Sequence, residues 1–493
     1  MITTSFFGRN AELQLLDDLW GSRRATMLIL YGRRRVGKTS LLTHWMEPAS
    51  RRALYWVATP TTTQEQLRSF SQALYNFANP ESSAPVSFTF ATWEQAWIQA
   101  AALTRQERLA LFIDEFTYLL QANSSIAGVQ QNVWDHHLKD TNLFLALSGS
   151  HLGMMHRQVL SYQAPLYGRA TAQLHLRPLP FGVTHAYFKP YSAAERVVIY
   201  AIFGGIPAYW ERIDQSISIS ENILRQVLTP NNMMQDEPRL LLHDFVREPQ
   251  NYITILRAIA HDARTQKEIL PYTGLPQGHV SKYLSVLQDA GFVDRRIPVT
   301  TAQTSRLGRY HITDPYLRFY YRFLAERQAQ LALGVQRQAL DEIKQHLLDF
   351  IGTYTWEELS REWLLRASEH DVLPFTPDQV GSFWTRKAQV DVVGFNRMEK
   401  TIILGECKWS PRATGRKVLA DLVEKTSEIV PKQGRWRVYY LGFARGGWTE
   451  AAKIFAREFP PNGDDVGNWE VVGMKLFDLE KIDADLGSWT LHL

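Results

Sequence analysis

ILYGRRRVGKTS, residues 29–40, is the stretch that decides how the first half of this chain folds. An apolar run from Thr26 to Tyr31 leads into its first glycine, and apolar residues at helical spacing follow its last serine. The order strand, glycine loop and helix matches the pattern G-x-x-x-x-G-K-[ST], which binds nucleoside triphosphates. The backbone amides of such a loop and the N-terminus of the following helix point at phosphate oxygens. We therefore expect an ATP site here.

The residue types in this loop match the contacts that a triphosphate needs. Gly32 and Gly37 let backbone amides turn inward onto phosphate oxygens. Lys38 is expected to reach the β and γ phosphates, and the Thr39 hydroxyl to hold Mg²⁺. The other loop and helix residues expected to contact the nucleotide are Arg35, Val36 and Ser40. The three consecutive arginines of the loop make its rim basic, and we assign them no catalytic role.

Another apolar strand, Leu109–Ile113, lies further along the chain and ends in two acidic residues. Asp114 is placed to hold the Mg²⁺ shell, and Glu115 to orient and deprotonate the attacking water. An apolar strand that ends in two acids is a weak pattern alone, but it becomes strong downstream of a phosphate loop with one strand between them. Glu115 predicts hydrolysis of ATP as well as binding.

Three further polar residues, two serines and one arginine, are candidates for contacts with the γ-phosphate. The strand Leu143–Leu147 is followed by Ser148 and Ser150; either serine fits a sensor between the two motifs, and both also fit as turn caps. Arg169 follows a glycine at the edge of the core and is a candidate in cis or from a neighbouring subunit, with a plain surface arginine as the alternative. A contact from a neighbour would require a homo-oligomer formed through the ATPase core.

The middle of the chain, residues 252–300, predicts three short helices and a β-wing, the winged-helix layout. Its third helix, Gln277–Ala290, is the one that commonly enters a DNA major groove. The residues expected to face DNA are His279, Ser281, Lys282, Arg295 and Arg296. The alternative is a winged helix that only packs against protein.

The C-terminal part carries an acidic pattern, D…E-x-K, that is typical of PD-(D/E)xK nucleases. Glu406 and Lys408 lie two apart in one strand and so face the same side, and Asp391 lies in the preceding strand. The two carboxylates are placed to share Mg²⁺ or Mn²⁺, and the lysine to orient or activate the attacking water. Glu357 or Glu358 at the start of a helix would complete the site. Solvated charges on an edge strand are the alternative.

The first half of the chain resembles the archaeal and bacterial family of P-loop ATPases related to the AAA+ and STAND NTPases. The segments that carry this resemblance are GRRRVGKTS, LFIDEF, LSGS, PLYGRA and Gly204–Pro207. It implies an α/β core with a small helical lid, in which Gly205 and Pro207 face the nucleotide. In many AAA-type ATPases a segment placed like Phe7-Gly8-Arg9 lies over the adenine ring, so the resemblance implies that Gly8 and Arg9 contact the nucleotide; an ordinary N-terminal helix is the alternative. A clear sensor-2 arginine is missing from the lid, which argues against a ring-forming motor.

The second half looks like the nuclease-like domain that accompanies this ATPase family. The segments that carry the resemblance are DPYLRFYYRF, FIGTYTWEEL, FWTRKAQVDVVGF and ILGECKW. The family's acidic site carries over to Glu357, Asp391, Glu406 and Lys408. One departure is Gln389, where relatives often have Glu. The two resemblances together cover nearly the whole chain.

Composition supports a multidomain globular protein. The chain has 493 residues, is 45% hydrophobic and 21% charged, and carries a net charge of +4 that is compatible with nucleic acid. One cysteine, Cys407, excludes a disulfide framework, and neither a signal peptide nor a membrane-spanning stretch is evident. We expect a cytoplasmic protein with no membrane partner.

These observations predict an α/β multidomain architecture with a P-loop ASCE ATPase core, a winged helix-turn-helix and a restriction-endonuclease-like α/β domain. The expected units are the ATPase core at 1–178, a helical lid at 179–248, the winged helix at 249–325, a linker helix at 326–349 and the nuclease-like domain at 350–493. The predicted function is an ATP-hydrolysing switch coupled to a metal-dependent DNA endonuclease. The alternative is an ATP-dependent DNA-binding or signalling protein whose nuclease-like domain is inactive.

Overall fold

A parallel sheet of five strands forms the centre of the N-terminal part of the computed structural model. The strands are β1 (Thr26–Tyr31), β2 (Ala53–Val57), β3 (Leu109–Asp114), β4 (Leu143–Gly149) and β5 (Ala172–His175). Their order is β2-β3-β4-β1-β5, and every neighbouring pair is parallel. The carboxyl ends of β1 and β3 therefore lie at the same edge of the sheet, with the end of β4 between them. This edge brings the phosphate loop and the two acids together.

The structure describes residues 6–22, 24–48, 50–243, 245–246, 248–302, 304–459 and 468–491. The outermost residues of the predicted first and last units, 1–5 and 492–493, lie outside these ranges.

Helices cover both faces of this sheet. They are α1 (Asn10–Gly21), α2 (Lys38–Met46), α3 (Thr63–Ala78), α4 (Trp93–Ala102), α5 (Phe116–Ala122), α6 (Ile126–Val133) and α7 (Leu152–Met155). Leu28 and Leu30 of β1 enter the apolar cluster on one face, and Met27 and Ile29 the cluster on the other. Successive residues of a strand face opposite sides, so a strand covered on both faces must be apolar throughout.

A helical segment follows the core sheet. Its helices are α8 (Val183–Tyr187), α9 (Ala193–Phe203), α10 (Pro207–Trp210), α11 (Ile219–Ile223) and α12 (Met233–His243). Ser192 begins α9 in a capping box with Glu195, which satisfies free backbone amides at the helix start. We call this segment the lid.

Three helices and a two-stranded antiparallel ribbon come next. They are α13 (Gln250–Ala260), α14 (Gln266–Thr273), α15 (Gln277–Asp289), β6 (Val293–Arg296) and β7 (Arg309–Ile312). Thr265 caps α14, and Gly274 ends it with a φ of +62°, a conformation that glycine adopts without strain.

Short helices lead from the ribbon to the C-terminal domain. They are α16 (Pro315–Phe319), α17 (Gln328–Ala332) and α18 (Gln336–Phe350). The single linker helix predicted at 326–349 is wrong, because Gly334 with a φ of +87° separates α17 from α18. Gly334 is exposed, so no tertiary contact compensates for a glycine in a helix interior.

The C-terminal domain is a five-stranded mixed sheet flanked by helices. Its elements are α19 (Glu357–Ala367), β8 (Gln379–Trp384), β9 (Gln389–Asn396), β10 (Thr401–Lys408), α20 (Lys417–Glu424), α21 (Thr426–Ile429), β11 (Trp436–Ala444), α22 (Glu450–Arg457), β12 (Trp469–Asp478) and α23 (Leu479–Leu491). The order is β12-β11-β10-β9-β8. Strands β8, β9 and β10 run antiparallel, whereas β10, β11 and β12 run parallel. The predicted pairing of the two strands with the acidic residues is confirmed.

The parts of the chain are joined by buried contacts. One apolar cluster contains Leu28 of the core sheet, Trp210 of the lid and Leu486 of α23. Arg196 of the lid is buried and pairs with Asp483 of α23. The ATPase core, the lid and the C-terminal domain therefore share a continuous interior.

The loop between β6 and β7 lies against the outer strand of the C-terminal sheet. Val299 N donates to Ser382 O of β8 at 3.0 Å. Trp384 Nε1 donates to Leu307 O at 2.9 Å. The ribbon thus packs on protein along this side.

Candidate functional site

The phosphate loop is shaped by two glycines that no other residue could replace without a clash or strain. A Cβ at Gly32 would lie 2.4 Å from Leu176 O, and Gly37 has a φ of +97° at the start of α2. Lys38 Nζ donates to Gly32 O at 2.8 Å and to Arg33 O at 3.1 Å. Burial lowers the pKa of Lys38 to about 8 despite the attraction of the two nearby acids. An anionic phosphate would restore the charge balance of this amine.

Thr39 and Asp114 form the pair of oxygen ligands expected for Mg²⁺. Thr39 Oγ1 donates to Asp114 Oδ2 at 2.6 Å, and the Tyr55 hydroxyl donates to the same oxygen. Burial raises the pKa of Asp114, but hydrogen bonds from Thr39, Tyr55 and the backbone N–H of Glu115 outweigh it and keep this pKa below its usual value. An ionised carboxylate next to a hydroxyl fits a hard cation. Tyr55 was not singled out from the sequence, where it is one aromatic residue in an apolar strand.

The two serines at the end of β4 differ in their contacts. Ser150, just after the strand, donates from Oγ to Glu115 Oε2 at 2.7 Å. Ser148, inside the strand, is fully buried, and its hydroxyl has no hydrogen-bond partner among the described residues. Glu115 itself has a φ of +51°, a backbone conformation that residues other than glycine rarely adopt. The acid proposed as the base is therefore held both by its backbone and by a hydroxyl.

A cavity of about 360 Å³ lies beside the phosphate loop, on the side expected for adenine. Its walls include Phe7, Arg9, Val36, Gly37, Ser40 and Pro207. Arg9 is buried, and its guanidinium donates to Val36 O at 3.0 Å and to Arg177 O at 2.8 Å. Gly8 has a φ of +65°, and a Cβ there would lie 2.5 Å from Val183. The structure thus brings the N-terminal segment, the loop and the lid proline to one place.

Arg169 is held away from this cavity by an acid of the core. Its Nη2 lies 2.9 Å from Asp135 Oδ2, and its Nε lies 3.1 Å from both carboxylate oxygens. A bidentate pair of this kind fixes the guanidinium. In this arrangement Arg169 binds Asp135, and we assign it no contact with the γ-phosphate in cis.

Two arginines of the phosphate loop connect it to other parts of the chain. Arg33 pairs with Asp314, and its Nη2 donates to the Tyr209 hydroxyl at 2.8 Å. Arg35, with a φ of +67°, pairs with Glu237 of the lid at 3.1 Å. No local sequence pattern indicates these contacts, because the partners lie far along the chain.

The C-terminal domain has a cavity of about 480 Å³ that contains all four predicted site residues. They are Glu357 from α19, Asp391 from β9, and Glu406 and Lys408 from β10. Gln389, the departure noted in the sequence, lines the same cavity. Four groups from three elements thus meet at one side of the sheet.

Contacts within this cavity order its charges. Lys408 Nζ lies 2.8 Å from Glu406 Oε1, and Lys425 Nζ lies 3.1 Å from Glu406 Oε2. Asp391 Oδ2 accepts a hydrogen bond from Cys407 N at 3.0 Å. Lys425 was missed by the sequence analysis, because it follows α20 and belongs to no recognised pattern.

The open choice between the two helix glutamates is settled by position. Glu358 turns away from the cavity, toward Arg296 at 2.8 Å and Arg318 at 3.1 Å. Burial raises its pKa, but these two arginines outweigh burial and lower the pKa of Glu358 to about 2. Glu358 and Asp294 both bind the guanidinium of Arg296, and the contact of Arg296 with DNA phosphates stays a prediction. Arg296 thus helps to neutralise a half-buried carboxylate.

Two carboxylates of the cavity have cationic partners, since Lys408 and Lys425 bind Glu406 and Arg361 lies 3.3 Å from Glu357, yet burial and mutual repulsion still act on these acids. Burial and the charge of Asp391 raise the pKa of Glu357 to about 8. Burial and the charge of Glu406 raise the pKa of Asp391. Such clustered acids fit a divalent cation, which would offset their repulsion. In the part of the chain that the structure describes, no group of three or more His, Cys, Asp or Glu side chains is arranged to hold a metal, so a cation here would depend on Asp391 and Glu406 together with water.

Glu357→Gln is expected to raise the melting temperature at about pH 9 and to leave it unchanged at about pH 5, in metal-free buffer. The folded state holds a proton on Glu357 up to a pKa of about 8, against an ordinary value of 4.5. The stability from this proton is fully present below pH 4.5 and is lost as the pH rises through about 8. Glutamine acquires no charge and so avoids the loss.

Thermal denaturation in EDTA across this pH range measures the effect of Glu357→Gln. The exposed Glu424 supplies a matched control, Glu424→Gln, whose curve should follow that of wild type. Parallel pH curves for wild type and Glu357→Gln would contradict the raised pKa.

The outward face of α15 carries the residues expected to meet DNA. His279, Ser281 and Lys282 are exposed.

No helix among the described residues is both long and apolar enough to cross a bilayer.

Two family models match the chain. Residues 6–213 match a family described as an ATPase domain predominantly from Archaea. Residues 320–418, which include the four residues of the C-terminal cavity, match a family described as Archaea bacterial proteins of unknown function. The N-terminal part therefore matches an archaeal ATPase family, and an α/β domain with a family match of its own follows it.

Two curated relatives come from the archaeon Methanocaldococcus jannaschii. An uncharacterized protein is 28% identical over 426 residues, which cover 86% of this chain and 92% of that protein. An uncharacterized ATP-binding protein is 48% identical over 42 residues, which cover 8% of this chain and 71% of that protein.

One solved structure supports the fold of the N-terminal part. The Walker-type ATPase of Pyrococcus abyssi is 18% identical and has a TM-score of 0.50; the match covers 64% of this chain and 96% of that one. The likeness shows a common P-loop ATPase architecture.

Proposed function

We propose that this chain is an ATP-hydrolysing switch that controls a metal-dependent DNA endonuclease site in its C-terminal domain. The observation that carries the proposal is the cavity in which Glu357, Asp391, Glu406 and Lys408 meet, within the same chain as a P-loop ATPase domain. The order α19, β8, β9, β10, α20 and β11 supports it, because the acids lie on the antiparallel strands that follow the first helix.

Hydrolysis of ATP would use groups that the structure already brings together. Lys38 exchanges the carbonyls of the loop for the β and γ phosphates, and Thr39 and Asp114 hold Mg²⁺. The cation supplies charge neutralisation for the phosphates. Glu115, fixed by Ser150, takes the proton of the attacking water.

DNA cleavage would follow a similar division of roles. Asp391 and Glu406 hold Mg²⁺ or Mn²⁺, which stabilises the charge of the phosphorane-like transition state. Lys408 leaves Glu406 Oε1 to orient the attacking water and to contact a scissile phosphate. Glu357 adds a carboxylate at the wall of the cavity.

A series of contacts leads from the phosphate loop to this cavity. Arg33 of the loop pairs with Asp314, which caps α16 by accepting from Leu317 N at 2.9 Å. Arg318 of the same helix pairs with Glu358 of α19, the neighbour of a cavity residue. A nucleotide that pulls Arg33 toward phosphate would compete with Asp314 and so bias the position of α16. This connection supports a switch because its two arrangements would differ in their ion pairs.

Contact with DNA is the less direct part of the proposal. The exposed residues of α15 and the net charge of +4 support it. Packing of the ribbon against β8 reduces the surface that the wing offers to DNA. We therefore assign DNA contact to α15 and not to Arg296.

A specific observation favours the alternative of an inactive nuclease-like domain. Glu406 is bound by two lysines. Gln389 stands where the nuclease-like domains that this part of the chain resembles often have Glu. An ATP-dependent DNA-binding or signalling protein would need neither cleavage nor a third acid.

Cleavage of plasmid and single-stranded DNA with Mn²⁺, with and without ATP, tests the proposal. Wild type is expected to cut, and ATP is expected to change the rate of cutting. In Lys38→Ala, which cannot hold the phosphates, cutting should persist but lose its response to ATP. Cutting that is equal in wild type and Glu406→Ala would refute the nuclease, and wild-type ATP hydrolysis without any cutting would favour the alternative.

A further inference from the structure

A second, smaller cavity lies on the acidic side of the phosphate loop. Its volume is about 200 Å³, and it shares no lining residue with the cavity assigned to adenine. Its walls are formed by Arg34, Thr117, Tyr118, Gln121, Ser150 and His151, with His243 of the lid at its rim. It therefore lies between the loop, the start of α5 and the end of β4.

The proposed base adjoins this cavity. Ser150, a wall residue, donates to Glu115 Oε2 at 2.7 Å. Helix α5, which supplies three other wall residues, begins directly after Glu115. The cavity thus lies where water attacking a γ-phosphate would meet the group that deprotonates it.

Arg34 places its guanidinium in this cavity. Its Nη2 donates to the Tyr118 hydroxyl at 2.7 Å. Its positive charge contributes to lowering the pKa of Lys38 and of His151, although burial contributes more in both cases. The guanidinium therefore lies close enough to the phosphate-binding lysine to act on the same anion.

The three arginines of the loop take different directions. Arg33 and Arg35 turn to the acids Asp314 and Glu237. Arg34 turns instead toward the side of the core that carries Glu115. This direction brings the positive charge of Arg34 to the side of the core on which the γ-phosphate and the attacking water are expected.

We propose that Arg34 is a catalytic residue that contacts the γ-phosphate of ATP in cis. This inference rests on the proposed hydrolysis of ATP. In that step the bond from the γ-phosphorus to the bridging oxygen breaks, a bond to the water oxygen forms, Glu115 takes a proton, and ADP leaves with the bond's electron pair. The planar guanidinium donates two hydrogen bonds to the γ-phosphate oxygens, where negative charge accumulates.

Tyr118 serves as the resting partner of this arginine. Its hydroxyl holds Arg34 when phosphate is not bound, and the guanidinium exchanges the hydroxyl for a phosphate oxygen when ATP enters. Since ADP lacks the γ-phosphate, this exchange favours ATP over ADP. Arg34 thereby links catalysis to the recognition of the nucleotide state.

The test compares wild type, Arg34→Ala, Arg34→Lys and Tyr118→Phe in the full chain. The dissociation constants of ADP and of a non-hydrolysable ATP analogue are measured with Mg²⁺, together with kcat for ATP hydrolysis. Arg34→Ala is expected to lower kcat by about 100-fold and to raise the dissociation constant of the ATP analogue by about tenfold. The dissociation constant of ADP should stay unchanged. Arg34→Lys should recover part of both losses, and Tyr118→Phe should change kcat by less than about tenfold. Arg105→Ala, at an exposed site of the core, is the matched control.

Retained ADP affinity shows that Arg34→Ala is folded, so the other readouts report on the γ-phosphate. Equal losses for ADP and the ATP analogue would overturn the inference, because they would show only support of the loop. A kcat like that of wild type would also overturn it. If wild type itself fails to hydrolyse ATP, the proposed function falls and this inference falls with it.

Discussion

Glu115→Gln is expected to lower kcat for ATP hydrolysis by about 10³-fold or more and to leave ATP affinity within about threefold of wild type. The carboxylate follows Asp114 at the end of β3, and Ser150 holds one of its oxygens at 2.7 Å. Glutamine preserves the shape and the hydrogen bond from the serine but cannot accept the proton of water. The ligands of Mg²⁺, Thr39 and Asp114, are untouched, so binding should persist.

Steady-state turnover and equilibrium binding of ATP measure this separation of catalysis from binding. The exposed Glu107, which precedes the same strand, supplies the control Glu107→Gln. Turnover by Glu115→Gln within about threefold of wild type would remove this residue from the role of base. Another group would then have to accept the proton.

Glu406→Ala is expected to reduce Mn²⁺-dependent DNA cleavage by about 10³-fold or more, down to background. The substitution removes one of two carboxylates placed to hold the cation, and it also leaves Lys408 and Lys425 without their shared partner. The cavity would then carry excess positive charge, which repels a cation while still attracting DNA. DNA binding should therefore survive the loss of cutting.

Initial cleavage rates and a DNA-binding isotherm, measured on the same preparation, test this prediction. Glu424→Ala changes an exposed acid of the same domain and is the matched control. Restoration of cutting by a higher Mn²⁺ concentration would mean that Glu406 tunes metal affinity and is not required for the chemistry.

The parts of the fold that could be predicted from the sequence are those in which chemistry and backbone geometry share one short segment. The phosphate loop joins β1 to α2, and Asp114 ends β3, as their patterns indicated. The hairpin of β9 and β10 likewise follows from two apolar runs, which bring Asp391 and Glu406 to adjacent strands. In each case the spacing along the chain fixes the position in space.

The contacts that could not be predicted join residues far apart in the chain. Arg33 meets Asp314, and Arg296 meets Glu358, only because helices and strands from different units pack at particular angles. No local pattern distinguishes an arginine that pairs with a buried acid from one that meets DNA. Lys425 was missed for the same reason, since its distance from Glu406 depends on how α20 packs against β10.

The packing of the ribbon loop on β8 bears on the solubility of the C-terminal domain. Strand β8 is the outer strand of its sheet, and an uncovered outer strand offers free backbone groups on which another chain can align and aggregate. The backbone N–H of Val299 donates to the carbonyl oxygen of Ser382, and the carbonyl oxygen of Leu307 accepts from the indole N–H of Trp384. Both bonds occupy polar groups at this edge. A fragment that begins after these residues would lose this cover and gain a surface for self-association. The smallest soluble unit that contains the C-terminal cavity therefore begins upstream of β6.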